Sequence, residues 1–306
     1  MDVCFVTGSE PLATQAKYLS RSIRQFGDFN QEFVFIPEEE YSHIPEGVIT
    51  ELDKYHTIIE GQIPISDYQI SSKIKGVIES ERYSSADIIA FLDTDTLVLD
   101  DLSDYSLNRA KFSASPVDVV TDKYWTSDES RNEWLKFEQY FGLNETGSTV
   151  VSLVDKRECR PYYNAGVLFF QPPFGKEWLN WTNRVYHRAS RKRNSDQVSL
   201  GLLSQKYECS VLSQTYNFPV PHRIYFPSDV KVLHYHQLPH LIRILTPELK
   251  KKLKMIGVLE EIQKYYTLRS LVGSSYGFKK PIKGRIGRGI KRISTNLFSI
   301  SRQGKL

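Results

Sequence analysis

The feature that most constrains the fold is an apolar run that ends in two closely spaced carboxylates. Residues 88–92 read Ile-Ile-Ala-Phe-Leu, Asp93 and Asp95 follow, and a second apolar run covers residues 97–99. A continuous apolar run, unlike an alternating one, is typical of a strand buried on both faces of a parallel sheet. Side chains at i and i+2 of an extended chain point to the same side, so both carboxylates could reach one ion. Because ligands bind at the carboxyl ends of strands in such sheets, we predict a metal site there.

The residues before this run alternate between strand and helix patterns. Strands are predicted near residues 3–7 and 33–36 and from residue 88, with helices near 14–26 and 68–83 between them. This βαβ alternation predicts a doubly wound α/β fold with a mostly parallel sheet and right-handed crossovers.

Further elements are predicted beyond this unit. Residues 37–67 are expected to be irregular, and residues 120–160 to form a loop-and-helix insertion. Thr246 followed by a proline predicts a helix start, since Thr is a good N-cap and Pro fits the first helical position. The other predicted elements are strands at 167–170 and 230–234 and helices at 175–190 and 196–205.

Composition limits the class of protein. Of the 306 residues 40% are hydrophobic, and none of the apolar runs approaches the ~20 residues that span a bilayer. The start of the chain lacks the basic segment of a signal peptide. Three widely spaced cysteines argue against a disulfide framework and favour a reducing compartment. We therefore expect a cytoplasmic globular protein.

The charge is unevenly distributed along the chain. Residues 262–306 carry 11 Lys and Arg and no acid, whereas residues 1–261 have a net charge of −7. Within residues 278–306, apolar side chains recur at helical spacing among the basic ones, which is typical of a helix lying on an anionic membrane. A disordered, solvated tail explains the same pattern. Nucleic acid is not expected as a partner, since no recognition motif accompanies the charge.

Three other motifs follow Asp93 and Asp95 along the chain. Residues 164–166 read Asn-Ala-Gly before a predicted strand, Asp196 and Gln197 begin a predicted helix, and a histidine cluster starts at His234. A turn and an N-cap would explain the first two equally well. A histidine at a strand end can complete a metal site begun by two carboxylates, and imidazole would favour Mn²⁺ over Mg²⁺.

In this order and spacing the motifs resemble those of the GT-A-fold glycosyltransferases, in particular family 8, which includes glycogenin and bacterial galactosyltransferases. That family combines an apolar strand ending in Asp-x-Asp with Asn-Ser/Ala-Gly-Val, Gly-Asp-Gln and His-Phe-x-Gly-x-x-Lys-Pro-Trp. The resemblance covers roughly residues 1–245 and implies one catalytic domain with a Rossmann-like, mostly parallel mixed sheet flanked by helices. Residues 246–277 would then be a helical extension and residues 278–306 a basic tail, amphipathic or disordered.

The resemblance also implies roles for single residues. Asp93, Asp95 and His234 would ligate Mn²⁺, or Mg²⁺, bound to the diphosphate of a nucleotide sugar, and Asp196 and Gln197 would be catalytic. The residues implied in donor binding, besides Asp93 and Asp95, are Thr7, Gly8, Ser9, Lys73, Thr94, Asn164, Ala165, Gly166 and His240. The implied reaction moves a hexose to a hydroxyl of a glycan or lipid-linked acceptor with retention of configuration, as in polysaccharide biosynthesis, with possible contact of the tail to the inner face of a membrane.

The chain departs from that pattern in two of its motifs, and the last one also lacks its Pro-Trp. Ser195 replaces the Gly before Asp-Gln, Gln237 replaces the Gly after the histidine, and His240 stands where the phosphate-binding Lys would be. Two other functions stay open at this point. A haloacid-dehalogenase-like phosphatase would use Asp93 as nucleophile and Asp95 as general acid, and a sugar-nucleotide-binding protein would have lost catalysis.

Overall fold

The computed structural model describes residues 1–121, 125–126, 130–143, 148–223, 225–237, 240–241 and 244–264. The predicted tail at 278–306 and much of the predicted extension at 246–277 lie outside these residues. No helix within these ranges is both long enough and apolar enough to cross a membrane.

A seven-stranded sheet lies at the centre of the described part of the chain. Its strands, in spatial order, are β10 (Cys209–Val211), β6 (Phe112–Pro116), β9 (Tyr163–Phe170), β4 (Ile89–Leu92), β1 (Asp2–Val6), β2 (Glu32–Pro37) and β3 (Thr57–Gly61). Neighbouring strands are parallel except that β9 runs antiparallel to both β4 and β6. The prediction of an α/β fold with a mixed, mostly parallel sheet is confirmed.

Helices cover both faces of this sheet. The helices, in chain order, are α1 (Leu12–Phe26), α2 (Glu38–Tyr41), α3 (Glu46–Asp53), α4 (Ser71–Tyr83), α5 (Arg131–Tyr140), α6 (Gly175–Arg188), α7 (Ser195–Lys206) and α8 (Pro247–Met255). Apolar side chains of α1 and α3 belong to one core cluster, and those of α4, α6 and α7 to another. Strand β4 contributes Phe91 to the second cluster and Ala90 and Leu92 to the first. The apolar run therefore is a strand buried on both faces, as predicted.

A three-stranded sheet adjoins the carboxyl end of β4. It consists of β11 (Phe218–Pro219), β12 (Val232–His234) and β5 (Thr96–Val98), in that order. Strands β12 and β5 are antiparallel, with His234 opposite Thr96. The predicted strand at 230–234 thus belongs to this small sheet and brings the histidine segment beside the end of β4.

Two local predictions were wrong. Residues 37–67 are not irregular, because they contain α2, α3 and β3. Pro37 is the last residue of β2, but Pro37 and Pro45 each also directly precede the first turn of a helix, where the absent N–H costs nothing. Residues 164–166 are not a turn before a strand, because β9 already begins at Tyr163.

The start of α8 matches its prediction. The Thr246 hydroxyl accepts a hydrogen bond from Leu249 N at 3.2 Å, and Pro247 is the first helical residue. Helix α8 packs with Leu249 and Leu253 into an apolar cluster that also holds Leu97 of β5 and Leu233 of β12. The described part of the predicted extension therefore supports the small sheet.

Candidate active site

The two carboxylates of the Asp-x-Asp motif lie in a turn between β4 and β5. Thr96 N donates to the Asp93 carbonyl at 3.0 Å, and the Thr96 hydroxyl donates to the same oxygen at 2.7 Å. Asp93 N donates to Gly166 O of the adjacent strand β9 at 2.7 Å. The backbone is therefore not extended at Asp93 and Asp95, and the expectation that both carboxylates point to the same side does not apply. The two carboxylates have different neighbours.

Asp93 is paired with Lys73 of helix α4. Lys73 Nζ lies 3.1 Å from each carboxylate oxygen of Asp93 and 3.8 Å from Asp196 Oδ2. Burial lowers the pKa of Lys73, but the carboxylates of Asp93 and Asp196 outweigh it and raise the pKa above its usual value. Lys73 is therefore a charged ammonium shared by two acidic residues that the sequence places 103 positions apart.

Asp95 faces two histidines, His234 at the end of β12 and His236 two residues after it. Its Oδ1 lies 3.3 Å from His234 Nε2, and its Oδ2 lies 4.0 Å from His236 Nδ1. The two imidazole rings are stacked with centroids 3.9 Å apart. Burial acts to raise the pKa of Asp95, but His234 and His236 outweigh it and hold that pKa below its usual value.

These three side chains form a candidate metal centre. One ligand atom from each of Asp95, His234 and His236 lies within 4.8 Å of the other two. Carboxylate oxygen and imidazole nitrogen together suit divalent transition metals. Of the residues predicted as ligands, Asp95 and His234 are in this group and Asp93 lies beside it in its ion pair with Lys73. His236 was missed as a ligand, although its place in a run of three histidines was a signal.

Asp196 is the most buried carboxylate of the site. Its side chain is 1% exposed, and Tyr68 donates a hydrogen bond to Oδ1 at 2.6 Å. Trp178 Nε1 donates to its backbone carbonyl at 3.0 Å, while Oδ2 has no hydrogen-bond partner. Asp196 does not cap α7, because Asn194 is the N-cap residue and adopts a left-handed conformation. Tyr68 carried no sequence signal that pointed to this contact.

Gly166 connects three of the sequence motifs. Its N–H donates to Asn164 Oδ1 at 2.8 Å, and its carbonyl accepts from Asp93 N. A Cβ at this position would lie 2.3 Å from His234 Cε1. The group that lies against this glycine is therefore the His234 ring. Ala165, between Asn164 and Gly166, is buried in the core.

Three of the remaining predicted donor-binding residues lie at the same sheet edge as this site. Thr7, Gly8 and Ser9 follow β1, which is parallel to β4 and ends at the same sheet edge. The Thr7 hydroxyl is buried without a hydrogen-bond partner, and Ser9 N donates to a Glu40 carboxylate oxygen at 2.9 Å.

The last three predicted site residues are Thr94, Gln197 and His240, and each has different surroundings. The Thr94 hydroxyl lies 3.5 Å from Gln15 of α1, on the side of the sheet opposite α4. Gln197 is half-buried in the first turn of α7. His240 places its Nδ1 3.2 Å from the Tyr235 carbonyl, and it is not part of the Asp95 group.

A family model described as the Rhodobacterales glycosyltransferase domain matches residues 3–208. No curated protein matches the sequence. Among solved structures, the glycosyltransferase GlyE of Streptococcus pneumoniae TIGR4 is 16% identical, with 93% of this chain and 66% of that chain covered and a TM-score of 0.51. The bifunctional glycosyltransferase WbbM is 14% identical, with 86% and 51% covered and a TM-score of 0.51.

These structural likenesses concern the fold. This chain spans just under two thirds of the length of GlyE and about half of that of WbbM. Together with the family match they confirm the prediction of a GT-A type of glycosyltransferase fold.

Proposed function

The chain belongs to the Rhodobacterales glycosyltransferase domain family, and from that premise we propose that it is a metal-dependent, retaining hexosyltransferase that uses a nucleotide-diphosphate sugar. The acceptor is a hydroxyl of a glycan or of a lipid-linked saccharide. The closer affinity to family 8 is part of this proposal and rests on the sequence motifs.

The observation that carries the proposal is the meeting of separate motifs at one sheet edge. Asp93 and Asp196 come from separate parts of the chain, and both lie within 3.8 Å of the ammonium group of Lys73, which comes from a third. Asp95 adds the neighbouring contact to His234. Cations together with paired carboxylates at the carboxyl end of parallel strands suit an anionic ligand that carries a metal ion.

A divalent cation fits the residues that are present. Asp95 and His234 would hold it, with Asp93 beside them, and a bound cation would stabilise the negative charge that develops on a departing diphosphate. Mn²⁺ is favoured over Mg²⁺ because imidazole is among the ligands.

The protein's own groups would position the donor and balance its charge. Lys73 offers a charged ammonium near the carboxylates and can bind a phosphate or sugar oxygen. Asp196 Oδ2, buried and without a hydrogen-bond partner, is suited to accept a hydrogen bond from a hydroxyl of the donor sugar beside the reacting carbon. With Oδ1 already bonded to Tyr68, this carboxylate has one oxygen for the substrate.

No carboxylate of the site is placed as a dedicated base by its contacts. We therefore favour a route in which an oxygen of the leaving diphosphate takes the proton of the acceptor hydroxyl on the same face of the sugar. The protein then contributes positioning and electrostatic stabilisation.

The test is donor turnover across nucleotide sugars, with and without Mn²⁺, in wild-type protein and in Asp93→Ala, Asp95→Ala and the control Asp28→Asn. Asp28 is exposed and lies between α1 and β2, at the amino end of β2. We expect metal-dependent turnover of one donor class in the wild type and the control, and its loss in both Ala variants. Turnover that persists in the Ala variants would overturn the metal-centred site, and donor binding without turnover in the wild type would favour the inactive sugar-nucleotide-binding protein.

A further inference from the structure

We infer that His236 is a direct metal ligand, so that this chain builds a centre with two imidazoles and one carboxylate, selective for transition metals over Mg²⁺. The inference rests on the proposed function only for the presence of a divalent cation. Residue 236 is the variable position of the family motif as quoted above, so the second imidazole is a property of this chain's own sequence.

The ligand atoms of the three side chains lie within 4.8 Å of one another, close enough for one ion to draw them together. Ligand atoms about 2.1 Å from a metal lie about 3.0 Å apart at right angles and about 3.4 Å apart at tetrahedral angles. Asp95 Oδ1 and His234 Nε2 are 3.3 Å apart, and Asp95 Oδ2 and His236 Nδ1 are 4.0 Å apart. The first distance fits two ligands of one ion, whereas the second requires the His236 ring to move toward Asp95 and to turn out of its stack on His234.

The outer nitrogen of each imidazole already faces an oxygen acceptor. His234 Nδ1 lies 3.0 Å from Asn217 Oδ1, and both side chains are buried. When a metal ion displaces the proton from Nε2, a hydrogen bond donated to that oxygen keeps the remaining proton on Nδ1 and leaves the lone pair of Nε2 for the ion. His236 Nε2 lies 3.8 Å from Asp118 Oδ2, beyond hydrogen-bond distance, and has to move closer to that carboxylate to donate to it. Histidines that bind metals carry such outer partners, which fix the ring and its tautomer.

The charges nearby favour His236 over Asp93 as the third ligand. Asp93 is already neutralised by Lys73, whose ammonium contacts both of its oxygens. His236 stacks on His234 and contacts acidic groups on both sides, Asp95 and Asp118. Two nitrogens and one oxygen favour Mn²⁺, Co²⁺ or Zn²⁺ over Mg²⁺, which prefers an all-oxygen set.

The test counts nitrogen ligands on bound Mn²⁺ by pulsed electron paramagnetic resonance and measures Mn²⁺ and Mg²⁺ affinity by titration calorimetry. The variant is His236→Ala, and the matched control is His43→Ala, an exposed histidine before α3. We expect two imidazole couplings in the wild type and control, one in His236→Ala, and at least about a tenfold loss of Mn²⁺ affinity with a smaller change for Mg²⁺. An unchanged nitrogen count in His236→Ala would overturn the inference.

A second variant keeps the test decisive where His236→Ala fails to fold. Asp118→Asn retains both imidazoles and replaces the carboxylate behind His236, so Mn²⁺ affinity should fall by about tenfold with two couplings kept. An unchanged affinity in Asp118→Asn would contradict the arrangement. Metal binding is measured in the absence of donor and acceptor, so a failure of this inference can be distinguished from a failure of the proposed function. An inactive protein with two couplings overturns only the proposed function, and an active protein with one coupling overturns only this inference.

Discussion

Replacing Gly166 by alanine should damage the metal centre from the strand behind it. Gly166 lies in β9, with its carbonyl bonded to Asp93 N and its α-carbon against the His234 ring. The added Cβ would lie 2.3 Å from His234 Cε1 and 3.0 Å from Nε2. Since ordinary carbon contacts begin near 3.4 Å, the ring has to retreat by about 1 Å.

The surroundings of His234 allow little such movement. Its ring is stacked on His236 with centroids 3.9 Å apart and bonded through Nδ1 to Asn217. Metal–ligand distances tolerate deviations of about 0.2 Å, so a retreat of about 1 Å removes Nε2 from the coordination sphere. We expect Mn²⁺ affinity to fall at least about tenfold, or about 1.4 kcal/mol, and the free energy of unfolding of the metal-free protein to fall by about 1–3 kcal/mol from overpacking.

The assay is Mn²⁺ titration together with chemical denaturation of the metal-free protein, in Gly166→Ala and two control variants. A Cβ at Gly47 has no atom within 4 Å, so Gly47→Ala should lower neither the Mn²⁺ affinity nor the free energy of unfolding. A Cβ at Gly201 would lie 1.6 Å from the Pro161 carbonyl, so Gly201→Ala should destabilise the fold and leave the metal affinity of the folded protein intact. The reasoning is refuted if Gly166→Ala binds Mn²⁺ as tightly as Gly47→Ala does.

Three further predictions concern the groups around this centre. Tyr68→Phe removes the hydrogen bond to buried Asp196, so kcat of the proposed transfer should fall about 10- to 100-fold while donor KM changes little, as measured by initial rates. Glu81→Ala removes the carboxylate that accepts from two backbone N–H groups at the start of α6, at 2.6 and 2.9 Å, so denaturant titration should show a loss of about 1–3 kcal/mol. Burial raises the pKa of Cys4 to about 12 and of Cys159 to about 11, so neither thiol should react with a thiolate-directed reagent at pH 8 until the protein is denatured.

Each of these has a matched comparison. The ring of Tyr186 lies 4.9 Å from that of Tyr68, and its hydroxyl donates to the Asp67 carbonyl. Tyr186→Phe removes this hydroxyl and should leave kcat within about twofold. Glu60→Ala, on the exposed side of β3, should leave stability within about 0.5 kcal/mol. A Tyr68→Phe enzyme with unchanged kcat, a Glu81→Ala protein as stable as Glu60→Ala, or rapid labelling of the folded protein at Cys4 would each contradict the corresponding prediction.

The central sheet was predictable because its signal is written in consecutive residues. Strand β4 is apolar at every position, and a strand can be so only where both faces are covered. The helices α2 and α3 were not predictable in the same way, since Pro37 and Pro45 indicate both the end of a strand and the start of a helix. Which meaning applies is decided by tertiary packing, here the burial of Val48 and Leu52 against α1.

Only the residues that belong to a sequence motif were predictable as members of the site. Asp93, Asp95 and His234 were predicted as ligands of one metal ion, and in the structure Asp95 lies 3.3 Å from His234 while Asp93 is paired with Lys73. The contacts of Tyr68 with Asp196 and of Asn217 with His234 span 128 and 17 positions of the chain and carry no periodic or compositional signal. Such partners follow from the fold, so a single sequence gives no means of finding them.

The pairs at i and i+2 show how the backbone overrides a simple rule. The rule places alternate side chains of an extended chain on one side, yet Asp93 and Asp95 lie in a turn and face different partners. His234 and His236 also depart from extended geometry, because His236 adopts a left-handed conformation with φ of 58°. There the departure brings the two rings together in a stack.

The antiparallel pairing of β12 with β5 is what sets the position of His234 relative to Asp95. In that register His234 lies opposite Thr96, the residue that follows Asp95. A shift by one residue would turn His234 to the other face of the small sheet and separate it from the carboxylate. The register is held by apolar packing of Leu97 and Leu233 in one cluster with Leu249 and Leu253 of α8. Helix α8, although it contributes no residue to the candidate metal centre, therefore stabilises the geometry of that centre.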